Sequence, residues 1–107
     1  LNNIKERTAM NHMLKKLQKM QKDMLKAQKE LEETVFTGTA GGVVTVEVKG
    51  DKSIVSVKIE PEAVDPEDVE LLEDMLLAAL NQAMTEVDKK TEEVMAPYTH
   101  GLPGLPF

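Results

Sequence analysis

The sequence contains no cysteine and no tryptophan, and aromatic residues make up only 3% of its 107 positions. Without cysteine, the chain has no disulfide framework, no thiol nucleophile and no cysteine-ligated metal site. No apolar run approaches the roughly 20 residues that cross a bilayer, and nothing resembles a signal peptide, so we expect a cytoplasmic protein with no membrane partner. The core must come from aliphatic residues and seven methionines, which favours helix packing over a carved small-molecule pocket.

Groups suited to catalysis are equally scarce. The two histidines are His12, expected on the outer face of the first helix, and His100, in a Pro/Gly-rich tail. Neither belongs to a catalytic triad or to a metal-ligand spacing such as HExxH. A group of carboxylates takes helix-start and outer-face positions, and no loop supplies further metal ligands; its members are Glu67, Asp68, Glu70, Glu73 and Asp74. We therefore predict no enzymatic activity, no cofactor, no metal site and no small-molecule substrate.

The net charge of −6 is distributed unevenly along the chain. Residues 1–33 hold eight basic and five acidic residues, whereas residues 61–107 hold two basic and eleven acidic ones. The segment between them holds three of each sign. A positive end on an acidic protein indicates an anionic partner for that end.

The first predicted element is a long helix over about residues 5–33. Apolar residues recur there at alternating spacings of three and four, the heptad pattern of a helix that packs against another helix. No Gly or Pro interrupts the segment, and most of its residues are good helix formers. We call this stripe the apolar seam; its members are Met10, Met13, Leu17, Met20, Met24, Ala27 and Leu31.

The middle of the chain changes to a period of two, which is typical of strands with one buried face. Valines alternate with polar residues over 44–49, and residues 55–59 repeat the pattern. A Gly-Asp pair at 50–51 supplies turn residues between these strands. Residues 34–39 form a third strand before a Gly-Gly turn, so the sequence predicts a three-stranded antiparallel sheet.

A second long helix follows the sheet. Asp65 is a good N-cap and Pro66 suits the first helical position, so we expect the helix to begin there. Its apolar stripe, from Val69 to Val87, is wider than one small sheet can cover. Pro97 is expected to end the helix, which leaves residues 97–107 as an irregular tail.

The predicted order is helix, three strands, helix: an α+β fold of the type α-β-β-β-α. A three-stranded sheet is thin, and both helices carry more apolar surface than it buries. Pairing with a second copy would bury the remainder, and a symmetric pair is the commonest arrangement. We therefore expect a tight homodimer.

The lysines of the first helix follow the rhythm of the apolar seam. Five of them repeat at spacings of 4, 3, 4 and 3, and each follows a seam residue by two positions, a rotation of about 200°. They are therefore predicted to line the side opposite the seam, with Lys16 beside them. Only one acid, Asp23, falls within residues 10–29. We call the set the lysine ridge; it comprises Lys15, Lys16, Lys19, Lys22, Lys26 and Lys29.

The spacing alone leaves three interpretations of the lysine ridge open. Amphipathic helices normally carry charge on the outer face, so the ridge is explained in part by solvation. A solvated face usually mixes Glu with Lys, however, and a ridge of one sign suits a polyanion. The third interpretation is an acidic protein partner. No aromatic residues interleave with the lysines, which disfavours single-strand binding, and no Arg or Asn is placed to read bases in the major groove.

Four segments together resemble the YbaB/EbfC family of small bacterial nucleoid-associated proteins. They are MLKKLQKMQKDMLKAQKELEE, TGTAGGVVTVEVKGD, VSVKIEPEAVDPEDVELLEDMLLAALNQAM and the ending GLPGLPF. The resemblance covers nearly the whole chain from about Met10. It divides the sequence into an N-terminal extension (1–9), an α-β-β-β-α domain (10–96) and the tail (97–107).

The resemblance implies a homodimer that binds duplex DNA in the nucleoid, affects DNA compaction and gene expression, and has neither enzymatic activity nor a cofactor. The family's DNA contacts are attributed to charged helix residues, which in this sequence match the lysine ridge, with Lys89 and Lys90 as secondary contacts. The hypothesis is therefore a DNA-binding homodimer that contacts phosphates mainly through the ridge. The alternative is a homodimeric scaffold whose lysine ridge docks an acidic protein.

Overall fold

A computed structural model describes residues 2–99, with side chains described from residue 3. The predicted α-β-β-β-α order and the α+β class are confirmed. His100 and the tail from residue 101 lie outside the described residues. The elements are α1 (Asn2–Glu33), β1 (Val35–Ala40), β2 (Val44–Lys49), β3 (Ile54–Ile59), a one-turn 3-10 helix (Pro61–Ala63) and α2 (Val69–Thr99).

The three strands form one antiparallel sheet in the order β1-β2-β3. β1 pairs with β2 without interruption, whereas the pairing of β2 with β3 shifts register between Glu47 and Val48. The β1–β2 turn needs its two glycines, because Gly41 and Gly42 have φ values of 58° and 70° that other residues rarely adopt. Each strand boundary lies within one residue of its predicted position.

The β2–β3 turn contains the predicted Gly-Asp pair but extends to Ser53. The Lys52 N–H donates to the Lys49 carbonyl at 2.8 Å, and Lys52 itself takes a φ of 70°. Hydrogen bonds from the hydroxyl and backbone N–H of Ser53 lower the pKa of Asp51. This carboxylate therefore stabilises the turn above its ordinary pKa, and the contribution disappears as the pH falls through the lowered pKa.

The core lies between the sheet and α2. Three valines of β2 are fully buried and meet three small residues of α2, Ala79, Ala83 and Val87. At β1 the approach is closer still, because a Cβ added at Gly38 would lie 1.9 Å from the Ala79 carbonyl oxygen. The backbone of α2 thus rests directly on β1, and only glycine fits between them.

α1 packs antiparallel on α2. Ala27 and Leu31 line one shallow cavity with Lys90 and Val94, and Met20 and Met24 line another with Tyr98. The end of α1 also presses on the β2–β3 turn, where a Cβ at Gly50 would lie 1.9 Å from the Leu31 carbonyl oxygen. The seam is therefore covered only toward its C-terminal end.

The N-terminal half of α1 extends beyond the end of α2. Met10, Met13 and Leu17 of the seam are exposed in the single chain. The described chain measures 84 × 22 × 16 Å, and its radius of gyration of 22.0 Å far exceeds the roughly 13 Å of a compact domain of this length. Three of the seven predicted seam residues thus stay exposed among the described residues.

Two predicted boundaries of α2 are wrong. The helix begins at Val69 with Asp68 as its N-cap, whose Oδ1 accepts the Leu71 N–H at 3.3 Å. Asp65 instead starts a separate turn, in which its carbonyl accepts the Asp68 N–H at 3.0 Å. Asp-Pro suits the first two positions of a β-turn as well as a helix start, and the turn prevails here.

The predicted end of α2 at Pro97 is also wrong, since the helix continues to Thr99. A proline in the last turn removes a single backbone hydrogen bond near an end that already frays. The Thr99 hydroxyl donates toward the Met95 and Ala96 carbonyls at 3.3 and 3.4 Å, which satisfies acceptors at that end.

The contact at Gly38 predicts that Gly38→Ala destabilises the fold. The added methyl group forces α2 away from β1, and overpacking of this kind costs about 1–3 kcal/mol. Thermal unfolding followed by circular dichroism should show a fall of roughly 4–8 °C for each kcal/mol. Thr37→Ala, on the exposed face of the same strand, is the matched control and should change the midpoint little. Equal midpoints for the wild type and Gly38→Ala would contradict the close contact.

Candidate nucleic-acid interface

The six lysines of the ridge lie on one uninterrupted helix, and all six side chains are exposed. Leu31 is buried and Met20, Met24 and Ala27 are partly buried on the opposite side, so the ridge faces solvent while the seam faces α2. Lys15 and Lys29 are fourteen residues apart, about 21 Å along the helix. The structure therefore brings the predicted lysines together on a single face.

No lysine of the ridge pairs with a carboxylate among residues 3–99. The four ion pairs in that range are Lys52–Asp88 at 3.2 Å, Lys58–Glu60 at 3.7 Å, Lys89–Glu86 at 3.9 Å and Lys90–Glu93 at 3.7 Å. Four of the five lysines on the sheet, its turn and α2 thus pair with a nearby carboxylate, whereas no ridge lysine does so among residues 3–99. Like charges three and four residues apart also repel each other along the helix. The ridge is consequently a surface whose charge no ion pair compensates within residues 3–99.

The secondary candidates, Lys89 and Lys90, differ from the ridge in this respect. Each pairs with a glutamate of α2 at i−3 or i+3. Lys90 also lines the cavity at the C-terminal end of α1, near Glu30. An anion that engages these two lysines must compete with carboxylates of their own helix, although exposed pairs of this kind are weak.

The acidic part of the protein lies away from the ridge. No Lys or Arg occurs between Lys58 and Lys89. Since Lys90 packs near the C-terminal end of α1, the acidic start of α2 is remote from it: Asp74 is sixteen residues earlier, about 24 Å along the helix. The seven carboxylates between Pro61 and Met75 therefore lie away from the ridge, whereas Glu86, Asp88, Glu92 and Glu93 lie on the C-terminal half of α2, which packs on α1.

The chemistry of the ridge suits phosphates better than bases. Lysine is a flexible point charge, whereas bidentate base recognition uses the planar arginine fork or an amide. The only arginine in the chain, Arg7, lies on α1 outside the ridge. Contacts from lysine to phosphate position a protein on nucleic acid without reading its sequence.

The sequence analysis did not include the basic residues at the start of α1 in the candidate site. The helix begins at Asn2, so Lys5 and Arg7 lie on the same helix as the ridge and are exposed. By helical rotation they flank the ridge on either side. The run of helix-forming residues before Met10 was the available signal. The predicted helix began three residues after the observed start at Asn2.

The described part of the chain also lacks two kinds of feature. Among its side chains, no three His, Cys, Asp or Glu are grouped so that they would hold a metal ion. Neither helix in residues 2–99 has the length and apolarity needed to cross a membrane.

The fold and this surface define a class of small α-β-β-β-α proteins with a cationic first helix. The chain belongs to the YbaB/EbfC DNA-binding family, whose profile matches residues 6–102. A nucleoid-associated protein of Clostridium kluyveri is 52% identical over 99 residues, covering 90% of this chain and 87% of the relative. One from Oceanobacillus iheyensis is 48% identical and covers 90% and 95% of the two chains.

A solved structure supports the fold independently. An uncharacterized protein of Helicobacter pylori superposes with a TM-score of 0.67 over 80% of this chain and 91% of that chain. Its sequence identity is 23%, so this likeness concerns the fold alone.

Repulsion within the ridge predicts that Lys22→Gln stabilises the protein. Lys22 has like charges at both i−3 and i+4, and each such pair costs about 0.2–0.5 kcal/mol. Thermal unfolding at low salt should show a small rise in midpoint that vanishes at high salt. Lys58→Gln, which removes a lysine paired with Glu60 at 3.7 Å, is the control and should give no rise. A fall in midpoint for Lys22→Gln would show that a carboxylate does pair with this lysine.

Proposed function

We propose that this protein binds duplex DNA as a homodimer, mainly through phosphate contacts from the lysine ridge, and so affects nucleoid organisation and gene expression in the bacterial cytoplasm. The observation that carries the proposal is the unpaired ridge, six lysines on one helix face with no carboxylate partner among the described residues. Membership of a DNA-binding family and the names of the nucleoid-associated relatives support the choice of DNA as the polyanion.

Two uncovered apolar surfaces support the homodimer. One is the N-terminal half of the seam on α1. The other lies beside α2 over β3, where Ile54, Val57 and Leu77 are exposed. A single chain that left both surfaces in water would forgo about 25 cal/mol for each Å² of apolar area. A second copy covers both at once.

Contacts of α2 identify the side on which the second surface lies. Gln82 accepts the Thr39 N–H at 2.7 Å, so one flank of α2 faces β1. Asp88 pairs with Lys52 in the β2–β3 turn at 3.2 Å, so the other flank faces β3. Leu77 precedes Asp88 by eleven residues, about three turns, and therefore shares its flank. The space over β3 thus has an apolar wall on α2 and an apolar floor on the sheet.

We take the projecting half of α1 as the element that fills this space in the partner. Each copy contributes one projecting helix and one open groove, so two copies exchange helices by a two-fold axis and leave neither surface exposed. The seam enters the groove, and the lysine ridge on the opposite side of α1 stays in water. The pair then carries two ridges, which doubles the number of phosphates that one dimer neutralises.

The phosphate contacts predict a steep dependence of DNA affinity on salt. Replacing Lys19, Lys22 and Lys26 with Gln should weaken binding and flatten the plot of log affinity against log salt by roughly one unit for each lost contact. Fluorescence anisotropy with a duplex at several salt concentrations measures both quantities. The matched control replaces Lys49, Lys52 and Lys58, which lie on the sheet and its turn, and removes the same charge. If both triple variants change the slope equally, only net charge matters and the ridge is not the site.

The helix exchange predicts that Met13→Glu dissociates the dimer. The carboxylate would have to be buried in the partner's groove without a counter-charge, which is strongly unfavourable. Light scattering should give the dimer mass for the wild type and the monomer mass for the variant, with unchanged secondary structure by circular dichroism. Val35→Glu, at an exposed position on β1 at the other edge of the sheet, is the control and should remain dimeric. A dimeric Met13→Glu variant would exclude this half of the seam from the interface.

A further inference from the structure

We propose that the C-terminal segment, residues 100–107, docks in an apolar notch between α1 and the end of α2. The inference uses neither the homodimer nor the DNA contact, so its outcome is separate from that of the proposed function. It assigns an occupant to the notch, and it gives a role in positioning α1 to the residues that follow Thr99, the last described residue.

The notch lies where α1 leaves its contact with α2. It has a volume of about 250 Å³ and is lined by Leu17, Met20, Gln21, Met24 and Tyr98. The two methionines and the tyrosine are partly buried, and Leu17 is 46% exposed. An apolar cavity of roughly 150 Å³ takes a benzene-sized group, so this notch has room for a leucine side chain.

The C-terminal segment begins beside the notch. Tyr98 lines the notch, and the segment starts two residues later. Leu102 and Leu105 follow Thr99 by three and six residues, which an extended chain spans with at most about 11 and 22 Å. The notch extends over residues 17–24 of α1, about 10 Å along the helix. Both leucines are therefore within reach, and the covalent attachment keeps the segment at a high effective concentration there.

The C-terminal segment matches the notch in polarity. No Asp, Glu, Lys or Arg occurs after Glu93, although such residues make up 30% of the chain. The segment instead supplies three large apolar side chains, Leu102, Leu105 and Phe107. Burial of a single leucine side chain favours the docked form by about 10-fold or more. The two prolines of the segment restrict its free state, which lowers the entropy that docking costs.

The docked segment connects α1 to the end of α2 at residues 17–24. Residues 2–16 project beyond this point and carry Lys15 and Lys16 of the lysine ridge. Bending of α1 away from α2 at the notch would expose its apolar lining together with the leucines, so the segment resists that motion. It therefore helps to set the direction in which the projecting part of α1 points.

The absence of cysteine from the chain allows a direct test by cross-linking. One full-length variant carries Gln21→Cys and Gly104→Cys, with one thiol at the notch and the other between the two leucines. The control carries Lys19→Cys and Gly104→Cys, because residue 19 is about 200° around α1 from residue 21. In dilute solution with oxidised glutathione, the disulfide should form about 10-fold faster or more in the first variant. Mass spectrometry of quenched samples measures both rates.

Two results of the cross-linking would overturn the proposal. Equal rates for the two variants would show that the segment has no preference for the side of α1 that bears the notch. A disulfide between two chains, recognised by its doubled mass, would assign the notch to a second copy instead.

Tyr98 supplies a second readout that needs no cysteine. It is the only tyrosine, and the chain has no tryptophan, so its fluorescence reports on the notch. Acrylamide should quench Tyr98 more strongly in L102S/L105S than in the wild type, because the notch is then open to solvent. L102M/L105M keeps the apolar volume and should match the wild type. Equal quenching of the wild type and L102S/L105S would contradict docking of these leucines.

Discussion

The direct contact of α2 with β1 at Gly38 determines where every other surface of this protein lies. Because no side chain intervenes at that point, α2 sits over β1 and β2 with Ala79 and Ala83 against the sheet. The three central valines are covered, and β3 is not. A bulkier residue in place of Gly38 would lift the helix and open the core that these small residues close. The exposure of Ile54 and Val57 on β3 is thus a consequence of close packing at the opposite edge of the same face of the sheet.

The position of α2 also defines which part of α1 is covered and which part projects. The C-terminal half of α2 runs past the core and receives the end of the seam, so the N-terminal half of α1 is left to project. One side of this helix is apolar and the other is cationic without ion pairs among residues 3–99, while seven of the eleven carboxylates after Glu60 precede Met75. A chain with a net charge of −6 can in this way present a cationic face to a polyanion. The carboxylates at the start of α2 stay distant from the ridge because α1 packs antiparallel on the other end of α2.

Much of this arrangement was predictable from the sequence. The heptad rhythm from Met10 to Leu31 and the alternating valines of β2 each depend on local periodicity, and both gave the correct elements. The boundaries of α2 were less predictable, because Asp65-Pro66 fits a turn as well as a helix start, and a proline as close to the end as Pro97 is tolerated. Periodicity showed that the lysines share one face. It did not show that they lack ion-pair partners among residues 3–99, nor that the seam is covered only toward its C-terminal end, because both properties depend on where α2 lies.

The close approach of Gly50 to the Leu31 carbonyl oxygen fixes the C-terminal end of α1, so a small change of angle there displaces the free N-terminal end most. The helix is held against α2 and the turn from Met20 to Leu31, and residues 2–16 project about 22 Å beyond this contact. A rotation of one degree about the contact moves the far end by roughly 0.4 Å but moves Lys29 hardly at all. The lysines nearest the pivot are therefore held at nearly fixed positions, while Met10 and Met13 sweep the widest arc. Gly50 is remote in sequence from the lysine ridge and from the N-terminal part of the apolar seam. A substitution at Gly50 would nevertheless change the direction of α1, and with it the distance between the free end of the helix and any surface that it meets.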